Sequence, residues 1–259
     1  MIKVISVANQ KGGVGKTTTT INLAASIAKR GYRVLIIDID PQGNATSGLG
    51  IEKSTIDQDI YKVLVDEVLI KETIHHTSTA KLDIVPATIN LSGAETELIS
   101  MMARETRLKS ALADIATDYD FIFIDCPPSL GQLSINAFTA SDAILIPVQS
   151  EYYAMEGLSQ LLNTIRLVQK HFNQNLGVEG VLLTMLDART NLGAEVVKEV
   201  QAYFHKKVYH TIVPRITKLA EAPSYGQAIT EYAPNSRAAK VYDDLAREVL
   251  KAHGKRLKK

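Results

Sequence analysis

"NQKGGVGKTTTT" (residues 9–20) follows the apolar run "KVISVAN" (3–9) and opens a helical pattern. Strand, glycine-rich turn and helix in that order are the parts of a phosphate-binding loop, G-x-x-x-x-G-K-[ST]. Aligned on Gly15, Lys16 and Thr17, that template asks for glycine at position 10, where the chain has Gln10 with Lys11 beside it. Gly12, Gly13 and Gly15, with Val14 between them, let the backbone aim several amides at one anion. Lys16 can reach terminal phosphates, the Thr17 hydroxyl can bind Mg²⁺, and Thr18 continues the same turn. The helix starting near Lys16 points its positive end at the bound anion. GKT directly between an apolar strand and a helix argues against the alternative, a glycine turn with no ligand.

Working outward, apolar β-branched runs alternate with helical patterns. Strands are expected at 3–9, 33–40, 82–87, 121–128, 143–149, 178–187 and 208–214. Helices are expected at roughly 16–30, 94–117, 131–140, 156–173, 192–206 and 236–252. Several strands are apolar on both faces, as a parallel sheet covered by helices on each side requires. The rhythm predicts an α/β fold with a doubly wound, mostly parallel sheet flanked by helices on both faces. No linker or repeat divides residues 1–259, so one domain with a short basic tail at about 254–259 is expected. Segment 50–80 is the least regular and reads as a helical excursion at the sheet edge.

Ligands in such folds sit at the C-terminal ends of strands, and the polar motifs cluster there. "DIDPQGN" (38–44 within the run from 33) supplies Asp38 and Asp40, two residues apart and so on one strand face. One can hold Mg²⁺-bound water while the other orients an attacking water. Asp125 closes the apolar strand "FIFID" in the Walker B manner and supports Mg²⁺, unless it is a buried structural acid. Lys11 has no task at its own nucleotide, because Lys16 already serves the γ-phosphate. It is either an ordinary surface lysine or a residue that completes the site of a second, twofold-related copy.

Composition bounds the rest. No apolar run approaches the ~20 residues of a membrane-spanning helix, and the first apolar stretch is broken too early for a secretory signal. The single cysteine, Cys126, excludes an internal disulfide, fits a reducing cytosol and argues against a one-chain zinc or iron–sulfur site. The six histidines are scattered and no nucleophilic triad is indicated. The formal charge of +1 hides an asymmetry. Residues 1–180 carry 15 Lys+Arg against 20 Asp+Glu, whereas residues 181–259 carry 14 against 8. A basic C-terminal third implies either a polyanion partner or a solvated basic surface.

"KGGVGKTT", "DIDPQGNATSGLG", "IDCPPSLG", "PVQSEYYAMEGL", "LLTMLDARTNLG" and "EAPSYGQAI" together resemble the deviant Walker A ATPases. Over essentially its full length the chain resembles the ParA/Soj-type chromosome-partitioning members of that family. The resemblance implies an ATPase, slow without its partner, that uses ATP and Mg²⁺ and forms an ATP-dependent homodimer. It gives Lys11 the role of the lysine that crosses the dimer interface, with Lys16 and Thr17 on phosphate and metal. Asp40 then positions the hydrolytic water, and Asp38 and Asp125 support the metal, through water. Gly12 packs against the partner protomer. Met185 and Pro214 are placed at the adenine. Glu151 either pairs with the incoming Lys11 or is an exposed carboxylate at a helix start.

The resemblance also implies nonspecific binding of double-stranded DNA by the closed dimer, with Arg189 as a contact. Arg215, Lys218, Arg237, Lys240 and Arg247 are further candidates, each with a plain surface role as alternative. A ParB-type centromere-binding protein is the expected partner, the location is cytoplasmic and nucleoid-associated, and control of replication initiation is a second possible output. The rival within the family is a MinD-like membrane-cycling regulator of division-site placement. Its C-terminal anchor is lacking here, since beyond 236–252 only Leu257 is apolar, so no stable membrane association is expected.

Overall fold

The structure is a computed structural model that describes residues 2–149, 154–186 and 191–256. Among these residues eight strands form one sheet: β1 (Lys3–Val7), β2 (Val34–Asp38), β3 (His75–His76), β4 (Leu82–Val85), β5 (Phe121–Asp125), β6 (Ala143–Gln149), β7 (Gly177–Leu186) and β8 (Val213–Pro214). Their order is β3-β4-β2-β5-β1-β6-β7-β8, and all pairings are parallel except β3 with β4. The helices are α1 (Lys16–Lys29), α2 (Asn44–Gly48), α3 (Ile60–Leu64), α4 (Leu91–Glu97), α5 (Arg107–Leu112), α6 (Gln132–Ala140), α7 (Ala154–His171), α8 (Asn191–Phe204), α9 (Thr217–Glu221), α10 (Ile229–Tyr232) and α11 (Arg237–Ala252). This is the expected doubly wound α/β architecture.

The two-residue side-chain period divides each central strand between two cores. Leu35, Ile37, Ile122, Ile124, Ile144 and Ile146 face one layer, packed with residues of α3 to α7. Val34, Ile36, Phe121, Phe123, Ile5 and Val7 face the other, with α1 and α11. Every residue of β2 and β5 is buried, which is why these runs are apolar without alternation up to the aspartate that closes each. In α11, Tyr242, Leu245, Val249 and Leu250 are buried in the same core as α1, and Asp243 pairs with Arg30 at 2.6 Å. Its apolar stripe is therefore spent on the fold. Among the described residues no helix is long and apolar enough to cross a membrane.

Two expected elements are corrected. The single helix 94–117 is two short helices, α4 and α5, separated by an extended Met101 and by Ala103 at φ 53. Asn136 on α6 stabilises the break, donating to Arg104 O at 2.7 Å and accepting from Leu108 N at 3.3 Å. The strand 208–214 shrinks to Val213–Pro214, with Val208 in an isolated bridge to Val181. Between them the Glu248 carboxylate accepts the His210 and Thr211 amides at 2.9 and 2.7 Å, so these donors never join a ladder. Segment 50–80 holds α3, two 3₁₀ turns and the antiparallel edge strand β3, so it is only partly the helical excursion expected.

Candidate active site

β1, β2 and β5 are neighbours, and the register sets Val7 and Asp38 level with Asp125. The loops leaving these strands therefore converge. Gly13 and Gly15 adopt φ of 75° and 87°, the left-handed region that a side chain resists. Gly15 is the N-cap of α1, with no side-chain cap and no acid in the first turn, which leaves helix-start amides for an anion. The loop is tied to the sheet on both sides. Asn9 Nδ2 donates to Pro147 O at 2.7 Å, and Thr184 Oγ1 donates to Val14 O at 2.8 Å. The Lys11 amide donates to Asn9 Oδ1 at 3.0 Å.

Lys16 is 7% exposed and its Nζ donates back across the loop to Lys11 O at 3.2 Å. Burial lowers its pKa, opposed by the charge of Asp125 and, more weakly, Asp40. Asp125 is fully buried and accepts from Thr17 Oγ1 at 2.7 Å and Thr20 Oγ1 at 2.9 Å. Asp38, also fully buried, accepts from Thr46 N at 2.8 Å, Thr46 Oγ1 at 2.7 Å and Asp40 N at 3.2 Å. Asp40 lies beyond the end of β2, in a turn where its Oδ1 accepts Gln42 N at 2.9 Å. It is not paired with Asp38 on a strand face, as the spacing implied. Thr18 is half-buried and borders a cleft of about 280 Å³ with Asn44, Ser47 and Gln227.

At the far side of the loop, Met185 has φ 52, and a Cβ built on Gly15 would lie 3.8 Å from Met185 Cε. Pro214 on β8 registers with Leu186, the next residue. The structure thus gathers Lys11 to Thr18, Asp38, Asp40, Asp125 and Met185, with Pro214 at the neighbouring strand end. Arg215, Lys218, Arg237, Lys240 and Arg247 are all exposed. Arg247 forms an ion pair with Asp243 at 2.8 Å. Glu151 and Arg189 lie outside the described residues. Sequence reasoning missed Thr20 and Thr46, which hold the two buried acids. The only signal was a threonine in each motif, and a threonine near a helix start reads as an ordinary cap.

Three acids with one buried ammonium leave a surplus of negative charge. That surplus, with the Thr17 hydroxyl beside Asp125, fits a divalent cation. Among the described residues no three His, Cys, Asp or Glu side chains gather as direct ligands. The donor set therefore suits Mg²⁺ held largely through water and phosphate oxygens rather than by a protein cage.

The same crowding predicts a pH effect. Desolvation raises the pKa of both Asp38 and Asp125, and their mutual repulsion adds to it at Asp125. Folded groups with raised pKa bind more protons than the unfolded chain, so stability is greatest below the unfolded pKa and falls as pH rises through the folded one. The window runs from the ordinary carboxylate value of 3.8 up to about 8. The nucleotide-free protein should melt at a lower temperature at pH 8 than at pH 5.5. Asp125→Asn should flatten that dependence. A melting temperature that rises over this range would refute it.

A family model described as an AAA domain matches residues 2–178. The chain is 61% identical to the sporulation initiation inhibitor protein Soj of Bacillus subtilis over 96% of its length and 98% of the relative's. It is 52% identical to the chromosome partitioning protein ParA of Myxococcus xanthus, covering 96% of this chain and 88% of that one. Among solved structures, a Mycobacterium smegmatis protein named cobyrinic acid a,c-diamide synthase, with bound ATP analogue and magnesium, superposes with a TM-score of 0.88 at 35% identity, over 98% of this chain and 96% of that one. With an identity this high over nearly the whole of both chains, and with the loop and its acids in one cluster, the chain belongs to the ParA/Soj family of chromosome-partitioning ATPases.

Proposed function

We propose that this protein is an ATP-driven switch that dimerises on ATP, binds double-stranded DNA without sequence preference and partitions chromosomes with a ParB-type partner. The observation that carries the reading is the joining of Thr17 to Asp125 at the foot of the glycine loop, with Lys16 buried beside them. Lys16 contacts the terminal phosphates by charge-assisted hydrogen bonds. Thr17 directly, and Asp125 and Asp38 through water, would hold the metal, which when bound would neutralise phosphate charge. Asp40 accepts a hydrogen bond from the attacking water and aims it at the γ-phosphorus. Met185 and Pro214 line the adenine.

Lys11 reaches into the partner protomer's site, where Glu151 receives it, so the nucleotide becomes part of the interface. Hydrolysis, slow alone and stimulated by the ParB-type protein, returns the dimer to monomers. The basic C-terminal third, with Arg189 foremost, meets DNA phosphates, which accounts for nucleoid association in the cytoplasm. The same switch also serves replication control. The burial of the α11 stripe against α1 speaks against a MinD-like lipid contact by that helix.

The test is fluorescence anisotropy on unrelated duplexes with ATP, ADP or no nucleotide, over a salt series. Binding is expected with ATP alone and to be abolished by Lys11→Ala. Each neutralised phosphate contributes about −0.9 to the slope of log K against log salt, so Arg189→Ala in a dimer should flatten it by roughly 2. Equal affinity in all three nucleotide conditions would overturn the link between dimer and DNA. ATP-dependent binding to anionic vesicles but not DNA would favour the MinD-like reading.

A further inference from the structure

Thr46 lies outside the phosphate loop and carries no role in the reading above, yet it is fully buried and makes three hydrogen bonds at the site. Its hydroxyl donates to Asp38 Oδ2 at 2.7 Å and accepts the Ala87 amide at 2.9 Å. Its own amide donates to the same Asp38 oxygen at 2.8 Å. The other Asp38 oxygen accepts the Asp40 amide at 3.2 Å. One carboxylate at the end of β2 therefore holds Asp40 on one oxygen and Thr46 on the other. Thr46 in turn fastens the group to the chain that leaves β4.

The turn between these residues has little freedom. Gly43 N donates to Asp40 O at 2.8 Å, and Gln42 N donates to Asp40 Oδ1 at 2.9 Å. Gly43 stands so close to the post-β4 segment that a Cβ there would lie 2.6 Å from Ala87 O. The whole arc from Asp38 to Thr46 is braced against Ala87, and Thr46 is the brace that touches the acid directly.

We propose that Thr46 is a positioning residue for ATP hydrolysis: by fixing the Asp38 carboxylate it sets where Asp40 stands relative to the attacking water. This rests on the assignment of Asp40 made above. Without the hydroxyl, the Ala87 amide is left with no acceptor and Asp38 Oδ2 keeps only the Thr46 amide, so the amide shifts to find another partner and the carboxylate is held at one point instead of two. A carboxylate that rotates carries the Asp40 amide with it. Water orientation tolerates displacements of well under an ångström, whereas phosphate binding by the Lys16 loop does not depend on this arc.

The experiment compares Thr46→Val, which keeps the shape and removes the hydroxyl, with Thr46→Ser, which keeps the hydroxyl. Thr46→Val should lower kcat about 10- to 100-fold, the range expected for an unsatisfied buried hydrogen bond at a reacting group, with ATP Kd changed less than about threefold. It should persist as a dimer in ATP by light scattering, and its Ala87 amide should exchange hydrogen faster than in the wild type. Thr46→Ser should restore kcat to within about threefold and protect Ala87 again. Normal turnover in Thr46→Val, equal losses in kcat and affinity, or a Thr46→Ser variant as slow as Thr46→Val would each overturn the proposal. So would failure of both variants to fold, which would make Thr46 a residue of the fold alone. Asp40→Ala run in parallel separates the two claims: if it is inactive while Thr46→Val is normal, only the positioning role fails. If Asp40→Ala hydrolyses ATP normally, the assignment of Asp40 fails and this inference with it.

Discussion

Lys16→Ala is expected to raise the ATP dissociation constant at least about a hundred-fold, through the loss of charge-assisted hydrogen bonds to the terminal phosphates. The size of the effect follows from burial. At 7% exposure the ammonium is largely stripped of water, and its contacts with a phosphate are poorly screened. Its Nζ rests on Lys11 O at 3.2 Å, a neutral carbonyl that a phosphate oxygen would replace with gain. No neighbouring cation can substitute from within the cluster, because its other charged groups, Asp38, Asp40 and Asp125, are acids and Lys11 is read as serving the partner. Titration calorimetry with ATP is the direct measurement. An unchanged affinity would dissolve the assignment of residues 9–20 as a phosphate loop.

Gly12→Val should leave ATP affinity within about threefold of wild type, since its neighbourhood in one chain is open, and yet abolish dimerisation. Gly12 is exposed, its φ lies outside the left-handed region, and a Cβ there would meet nothing within 4 Å. A valine is therefore tolerated by the monomer, and any effect on assembly arises between molecules. The neighbouring Gly13 and Gly15, at φ 75 and 87, offer no such separation, because a side chain at either would distort the loop itself. Size-exclusion with light scattering in ATP should show a monomer. A normal ATP dimer in this variant would refute the facing-loop geometry, and a large loss of ATP affinity would refute the open space around Gly12.

What the sequence reveals and what it hides follow one physical division. The continuous apolar runs 34–37 and 121–124 are legible because the body of a strand buried on both faces is held to apolar residues. The loop was legible because closely spaced glycines leading into GKT, between a strand and a helix, suit a bound phosphate and little else. Residues 94–117 misled because local helical preference was overridden by a distant side chain, Asn136, offering hydrogen bonds to the break. Residues 208–214 misled because Glu248, from α11, took the strand's amides. The spacing puts Asp40 on the strand face of Asp38, but the strand ends at Asp38: Ile39 N still donates to Asp125 O at 3.0 Å, and the Asp40 amide then turns back to Asp38 Oδ1 at 3.2 Å. Thr20 and Thr46 stayed hidden because a threonine's role depends on which carboxylate stands opposite, and that is set by strand order rather than by spacing.

The strand order has a consequence for the protein's birth at the ribosome. β1 emerges well before its neighbours in the sheet, since it lies between β5 and β6. Lys3 therefore pairs with Phe121, about 120 residues later in synthesis. At roughly 5–20 residues per second, the nascent chain carries β1 and the phosphate loop without β5 for on the order of ten seconds. Asp125 reaches Thr17 only after that interval. ATP thus has no complete site until β5 has been made, and through that interval the unpaired β1 is an apolar segment open to a chaperone.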